Sequence, residues 1–258
     1  MGKKIDSHVQ NSRTIIKNFK KSEEDGNTCA LDLTTWKIDE KRGPSKIGII
    51  YGYFNKETEL FLSSKYETPI GNVVKRIKEF ESNNTIELLT ASEILDIKRY
   101  LAMLMVREPS LIEKTVAKTI IAKELGIKPT PSEFVKLLEQ TTLVDTFFDN
   151  HYPVIVFNKT NTSFISSIKG FYVWKSIFND LNWWFPVTPT LAIHFVDKGV
   201  FEQLYKHNNG AEIVEDIVVI EHNNKMIESA MNDGNKYVFS NKSEELERLI
   251  KKYSPSPS

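Results

Sequence analysis

Between residues 90 and 133 the chain carries three helix-start signals in close succession, and these constrain its fold more than any other feature. Thr90-Ala91-Ser92-Glu93 and Ser110-Leu111-Ile112-Glu113 read as capping boxes, in which hydroxyl and carboxylate each satisfy an otherwise orphaned backbone amide. Thr130-Pro131-Ser132-Glu133 is a third start, with proline at the favoured first helical position. The helix opened at Thr90 turns Ile94, Ile97, Leu101 and Leu104 inward and is apolar nearly all round by its end. That predicts a central, buried helix stopped by Pro109. The second helix is expected to end at Leu125-Gly126, and the third continues a stripe of Phe134, Leu137, Leu138, Val144 and Phe148.

The outer thirds read differently. A short helix is expected over Thr14–Phe19, then a polar turn and a strand over Thr28–Leu33. Gly43-Pro44 breaks the chain before an apolar strand, Lys46–Phe54. From Glu57 the spacing is helical, with Ile70, Val73, Val74, Ile77 and Phe80 on one face. Later, Pro153–Phe157 and Ser163–Ser166 read as a hairpin around Asn158–Thr162. Strands follow at Phe171–Trp174, Leu191–Val196 and Ile217–Ile220, around an aromatic block, Trp183-Trp184-Phe185. Helices over His222–Met231 and Asn241–Lys252 close the chain, the last capped by Asn241. The pattern predicts an α+β fold: a central helical bundle flanked by strands from the N-terminal and C-terminal thirds. One domain is expected over residues 1–253, with a disordered tail at 254–258.

With 258 residues the chain can bury a sizeable core. Lys+Arg and Asp+Glu both number 34, so no global field draws it to nucleic acid or anionic lipid, and any such binding must come from a local patch. The single cysteine, Cys29, rules out an internal disulfide and reads as a buried, inert thiol on a strand. No apolar run is long enough to span a bilayer and no secretory leader is recognisable, which predicts a cytoplasmic protein without a membrane partner.

Glycine-rich phosphate loops, Cys-x-x-Cys, His-Glu-x-x-His and Gly-x-Ser-x-Gly are all missing, so candidate chemistry rests on scattered polar residues. His8 lies among Arg13, Lys17, Lys20 and Lys21; it is either a base or ligand beside phosphate-binding cations, or a solvated terminal residue. Arg107 ends an apolar helix and reads as the partner of Glu67 or Glu93, or else as an anion site. Asp145, Asp149 and His151 are either hard-metal ligands or a solvated helix end. Trp183 and Trp184 would stack bases or a sugar, form a protein-contact surface, or belong to the core.

With these residues in view, the chain resembles a bacterial and viral family known as domain-of-unknown-function family 4238. The family's opening His and Leu-Lys-Asn-Phe correspond to His8 and Ile16-Lys17-Asn18-Phe19. Its glutamate before a proline corresponds to Tyr66-Glu67-Thr68-Pro69, and its Arg-Thr-Pro to Arg107-Glu108-Pro109. The segment Phe-Ile-Thr-Ser-Asp-Asn-Pro lines up with Phe164–Gly170, and Pro-Leu-Ser-Pro with Pro186-Val187-Thr188-Pro189. Asn223 and Tyr237-Val238-Phe239-Ser240 resemble an Asn and a Val-Tyr-Ser-like strand near the family's end. The likeness spans nearly the whole length and implies an intracellular protein, often encoded in mobile and phage-related regions, with no established activity.

The resemblance singles out His8, Glu67 and Arg107 as catalytic candidates: His8 as base or ligand, Glu67 as carboxylate ligand or base, Arg107 as a clamp on phosphate. Arg13, Lys17, Trp183 and Trp184 are binding candidates. No metal-ligand set is assigned; a divalent metal is the cofactor such a site would take. The family's aspartate is Ile168 here and its proline Gly170, and an isoleucine binds neither metal nor proton. Two functions follow: a nucleic-acid-directed, nuclease-like effector in conflict between bacteria and mobile elements, or a non-catalytic module that binds a partner protein through Trp183–Phe185.

Overall fold

The structure, a computed structural model, describes residues 6–8, 11–83, 87–107, 130–133, 135, 148–175, 181–208 and 211–255. Along the chain, β1 (Asp6–His8) is followed by α1 (Arg13–Ile16), β2 (Thr28–Asp32), β3 (Lys37–Arg42) and β4 (Ile49–Tyr51). Next come α2 (Lys56–Leu62), α3 (Thr68–Asn83) and α4 (Ala91–Val106). The later part holds β5 (His151–Asn158), β6 (Ser166–Ser167), β7 (Tyr172–Lys175), β8 (Leu181–Pro186) and β9 (Leu191–Asp197). It ends with α5 (Lys198–Asn208), β10 (Ala211–Val214), α6 (Asp216–Asn232), β11 (Tyr237–Ser240) and α7 (Ser243–Tyr253). The fold is mixed α+β.

Its organising layer is sheet. One five-stranded sheet runs β10-β5-β9-β8-β7, parallel only between β10 and β5; a four-stranded antiparallel sheet runs β3-β2-β11-β6. Side chains alternate between faces along a strand, and here both faces are buried. Ile155, Phe157, Phe185, Ile193 and Phe195 pack with Ile15, Ile77 and Leu101 on one side. Val156, Trp184 and Ala192 pack with Val219, Met226 and Leu246 on the other. Ala30 and Phe239 of the second sheet join the first core, while Cys29, Leu31 and Val238 join the second. The described helices divide between the two faces of the sheets, and most of the expected central bundle, over 108–147, lies outside the described residues. The helix starts at 110–113 and the stripe at Leu137, Leu138 and Val144 lie outside the described residues, as do 256–258 of the tail.

The capping box at Thr90 forms as expected, with Glu93 N–H donating to the Thr90 hydroxyl and Thr90 N–H to the Glu93 carboxylate. All five residues of the Ile70–Phe80 stripe are buried. Three expectations fail, and one strand was not expected. The segment 158–162 does turn, with Asn158 Oδ1 accepting from Thr160 and its amide donating to the Thr162 carbonyl. It joins no hairpin, however, because β5 pairs with β9 and β10 while β6 crosses to pair with β11. Ile217–Ile220 is not a strand but the first turn of α6, whose buried positions Val219, Asn223, Met226, Ile227 and Ala230 follow helical spacing. β3 went unforeseen because it is a polar edge strand, Lys-Ile-Asp-Glu-Lys-Arg, with no apolar alternation to announce it. The last helix begins at Ser243 after Lys242, so Asn241 does not cap it.

Tyr172, Trp184 and His194 lie side by side across β7, β8 and β9. His222 of α6 stacks on Trp184, ring centroids 3.6 Å apart and 3° from parallel, and its Nδ1 shares a hydrogen bond with the Tyr172 hydroxyl. Burial, reinforced by Lys225, holds His194 down at about 4; burial, His194 and Lys225 hold His222 at about 3. Both rings are thus neutral in the fold but titrate near about 6.5 when unfolded, so acid favours unfolding. Urea midpoints should stay level above about pH 7 and fall as pH drops from about 6.5 toward about 4. His222→Phe keeps the stack and should make that fall shallower; an unchanged slope would refute the assignment.

Candidate functional site

The site is built where α2 runs into α3. Asn55 caps α2 by accepting from Thr58 N–H at 2.8 Å. The helix then widens into a π turn over Ser63–Glu67, in which Thr68 N–H reaches back to the Ser63 carbonyl. Pro69 accounts for the widening, since its ring has no amide to donate and clashes with the carbonyl four residues back in an ordinary helix. Such turns recur at functional sites, and this one ends on Glu67.

Glu67 Oε1 accepts from Arg107 Nη1 at 3.1 Å. Arg107 closes α4, donating its N–H to the Met103 carbonyl, and is 0% exposed, with its guanidinium 5.7 Å from the centre of the Phe54 ring. The Glu67 side chain retains 17% exposure, so a fully buried cation is held by a carboxylate that reaches the surface. Glu93, the other expected partner, is engaged by Arg76 instead.

Tyr100 lies two turns before Arg107 on α4. Its hydroxyl accepts from Ser12 N–H at 3.2 Å and donates to the Ser12 hydroxyl at 2.9 Å. Burial and the nearby Glu67 carboxylate push this hydroxyl well above its ordinary range, so it stays a neutral phenol. Asn11 adds a second anchor: its N–H donates to the Ile168 carbonyl at 2.7 Å and its amide to the Ser167 carbonyl at 3.4 Å. Gly170 makes room for it. Its φ is +86°, and a Cβ there would stand 2.9 Å from the Asn11 amide. Asn18 then donates to the Val187 carbonyl at 3.2 Å, while Ile15, Ile16 and Phe19 are buried.

So anchored, the segment of residues 11–19 forms one wall of a cleft, and α3 the other. The walls meet where Gly71 faces Thr14; a Cβ on Gly71 would lie 3.0 Å from Thr14 Cγ2. Beside that contact opens a cleft of about 690 Å³, with Lys17 and Lys20 on one wall and Lys75 and Lys78 on the other. Glu67 lies on its lining, with Glu23 and Glu79. Lys20 pairs with Glu23 at 3.5 Å.

Of the residues singled out from sequence, Glu67 and Lys17 line this cleft and Arg107 stands behind Glu67. Arg13 is exposed on α1 and is not part of the lining. His8 ends β1, paired with Ile49; the expected approach of its imidazole to Glu67 and Arg107 lies outside the described side chains. Trp183 and Trp184 are each 2% exposed, which corrects the expectation of a stacking or partner surface: Trp183 packs on Phe148 and Trp184 under His222. Asp145 lies outside the described residues, while His151 Nε2 donates to the Leu181 carbonyl at 2.8 Å. Among the described residues no group of three or more His, Cys, Asp or Glu is placed to hold a metal ion. None of their helices is long and apolar enough to cross a membrane. Burial raises the Cys29 thiol to about 11, as suits an inert core cysteine. Sequence reading missed Lys75, Lys78, Tyr100 and Asn11. The lysines showed only as polar positions opposite the apolar stripe of α3, and Tyr100 was hidden in an apolar run.

Comparison of the chain with protein-family models, curated proteins and solved structures finds no match in any of the three.

Removing one partner of a buried ion pair takes from the other charge an acceptor that water does not replace. Glu67→Ala should therefore cost about 3 kcal/mol of unfolding free energy by urea titration. Glu67→Gln keeps an oxygen facing Arg107 Nη1 and should cost clearly less; equal losses would mean that Arg107 gains nothing from the acceptor.

Proposed function

We propose that this protein is a nucleic-acid-directed effector of nuclease type, which takes a phosphodiester backbone into the cleft between residues 11–19 and α3. The observation that carries this reading is a cleft lined by Lys17, Lys20, Lys75 and Lys78, from two distant stretches of chain, together with Glu67, Glu23 and Glu79. The four lysines outnumber the three glutamates of the described lining by one, and Lys20 pairs with Glu23, so the local attraction for anions rests on Lys17, Lys75 and Lys78. Lysine ammonium groups hold phosphate as point charges.

Arg107 is out of reach of a ligand in the cleft, because it is wholly buried. Its role in this reading is to fix and orient Glu67 rather than to clamp phosphate. Glu67 is then the group that accepts a proton from an attacking water or takes one position on a divalent metal. The resemblance to domain-of-unknown-function family 4238 adds weight, since its scattered segments meet in space: Asn11 with Ile168, Asn18 with Val187, Glu67 with Arg107, and β6 with β11. Its setting is the reason to place the activity in conflict with mobile elements. The alternative, a partner-binding surface at Trp183–Phe185, loses its footing because all three residues are buried.

Incubating the protein with single-stranded DNA and RNA, with Mg²⁺ or Mn²⁺ and with chelator, tests the reading. Cleavage that Glu67→Gln reduces by about 100-fold or more, as removal of a general base typically does, is the expected result. Intact substrate under every condition, or undiminished cleavage by a folded Glu67→Gln variant, would overturn it.

A further inference from the structure

We infer that the cleft grips a single nucleic-acid strand by its phosphates, along α3, without reading its bases. This rests on the proposed function and specifies the substrate class of the same site. Three features lead to it. First, the described residues of the lining include no aromatic ring, so they offer no platform on which bases could stack. Of the two amides on the described lining that could read a base edge, Asn18 already donates to the Val187 carbonyl, which leaves Asn72. What remains facing the ligand is chiefly ammonium, hydroxyl and carboxylate, the chemistry of backbone contact rather than sequence readout.

Second, the α3 wall is linear. Lys75 and Lys78 are contributed by α3 and Glu67 by the π turn that leads into it, with Glu67 separated from Lys78 by about 16 Å at 1.5 Å per residue. A row of that length suits an extended strand with successive phosphates, whereas a free monophosphate would meet only part of it. Third, the walls close on each other at Gly71 and Thr14, and the whole cleft measures about 690 Å³. A volume of that order takes a short stretch of one strand at a time. A duplex presents its phosphates on the outside of a broad cylinder and cannot follow the two walls inward, while one flexible strand can.

Fluorescence anisotropy with labelled oligonucleotides of about 12 residues tests this directly. Oligo-dT, oligo-dA and a mixed sequence should bind within about threefold of one another, and a duplex of the same length at least tenfold more weakly. With four lysines on phosphates, log K against log salt should fall with a slope of about −2.8. Lys75→Gln/Lys78→Gln, at two exposed positions that leave the core untouched, should lower that slope by about 1.4 and weaken every sequence alike. A more than tenfold preference among sequences, a duplex bound as tightly as a strand, or a nucleoside monophosphate competing as well as the polymer would overturn the inference and leave the nucleic-acid reading standing. If no oligonucleotide binds at low salt, both fall.

Discussion

Three parts of the chain that are far apart in sequence meet at the Tyr100 hydroxyl. Ser12 is bonded to it by both backbone and side chain, Asn11 lies against it, and Glu67 is close enough to perturb it. A hydroxyl buried this deeply must be satisfied by protein partners, since each unpaired polar group costs about 1–3 kcal/mol. The hydroxyl and the N-terminal segment therefore specify each other. With Ile15, Ile16 and Phe19 in the core, residues 11–19 become a fixed structural wall. The cleft exists because this wall is held at a set distance from α3, with Gly71 permitting the closest approach.

The Arg107–Glu67 pair has a different logic. A guanidinium with 0% exposure contributes little net stability through its ion pair, because desolvation consumes most of the Coulomb gain. What the pair does accomplish is geometric. Arg107 sits on the end of α4, which is packed in the core, and Glu67 sits on a π turn, which an unpaired carboxylate would leave free to choose among rotamers. Joining them fixes one oxygen of a group that otherwise borders the solvent-filled cleft. A buried cation is thus used to make a surface carboxylate stationary, which is what a base or a metal ligand requires.

Much of this was legible locally. The capping box at Thr90–Glu93, the Ile70–Phe80 stripe and the strand around Cys29 each follow from spacing and composition alone, and each forms. What sequence could not give is partnership across the chain. The turn at Asn158 was recognised, yet nothing local says that the strand after it leaves for the other sheet. Ile217-Val218-Val219-Ile220 has the β-branched composition of a strand, and the helix wins because Val219 and Asn223 find their places under it: Asn223 bonds Ile165 N–H and the Ser163 carbonyl. The same limit governs the site. Glu67 was visible as one of two candidate partners for Arg107, and Lys17 as a binding cation. Lys75 and Lys78 become significant only once the N-terminal segment is laid opposite them.

Position 168 shows how far this chain departs from the pattern it resembles. Ile168 packs against the first core and against Gly48, where a Cβ would lie 3.1 Å from its Cγ2. Its carbonyl accepts from Asn11 N–H, and its own N–H donates to the Tyr237 carbonyl at 3.3 Å. An aspartate there would put a charge against apolar packing, so the side chain at this position serves the core while its backbone still seats the N-terminal segment. Two residues on, Gly170 takes a φ of +86° that no proline can adopt, whose ring fixes φ near about −65°. The two differences are coupled, because both residues shape the seat of Asn11. The backbone at 168 and the open Cα at 170 thus seat Asn11 together, and with it the wall of the cleft that carries Lys17.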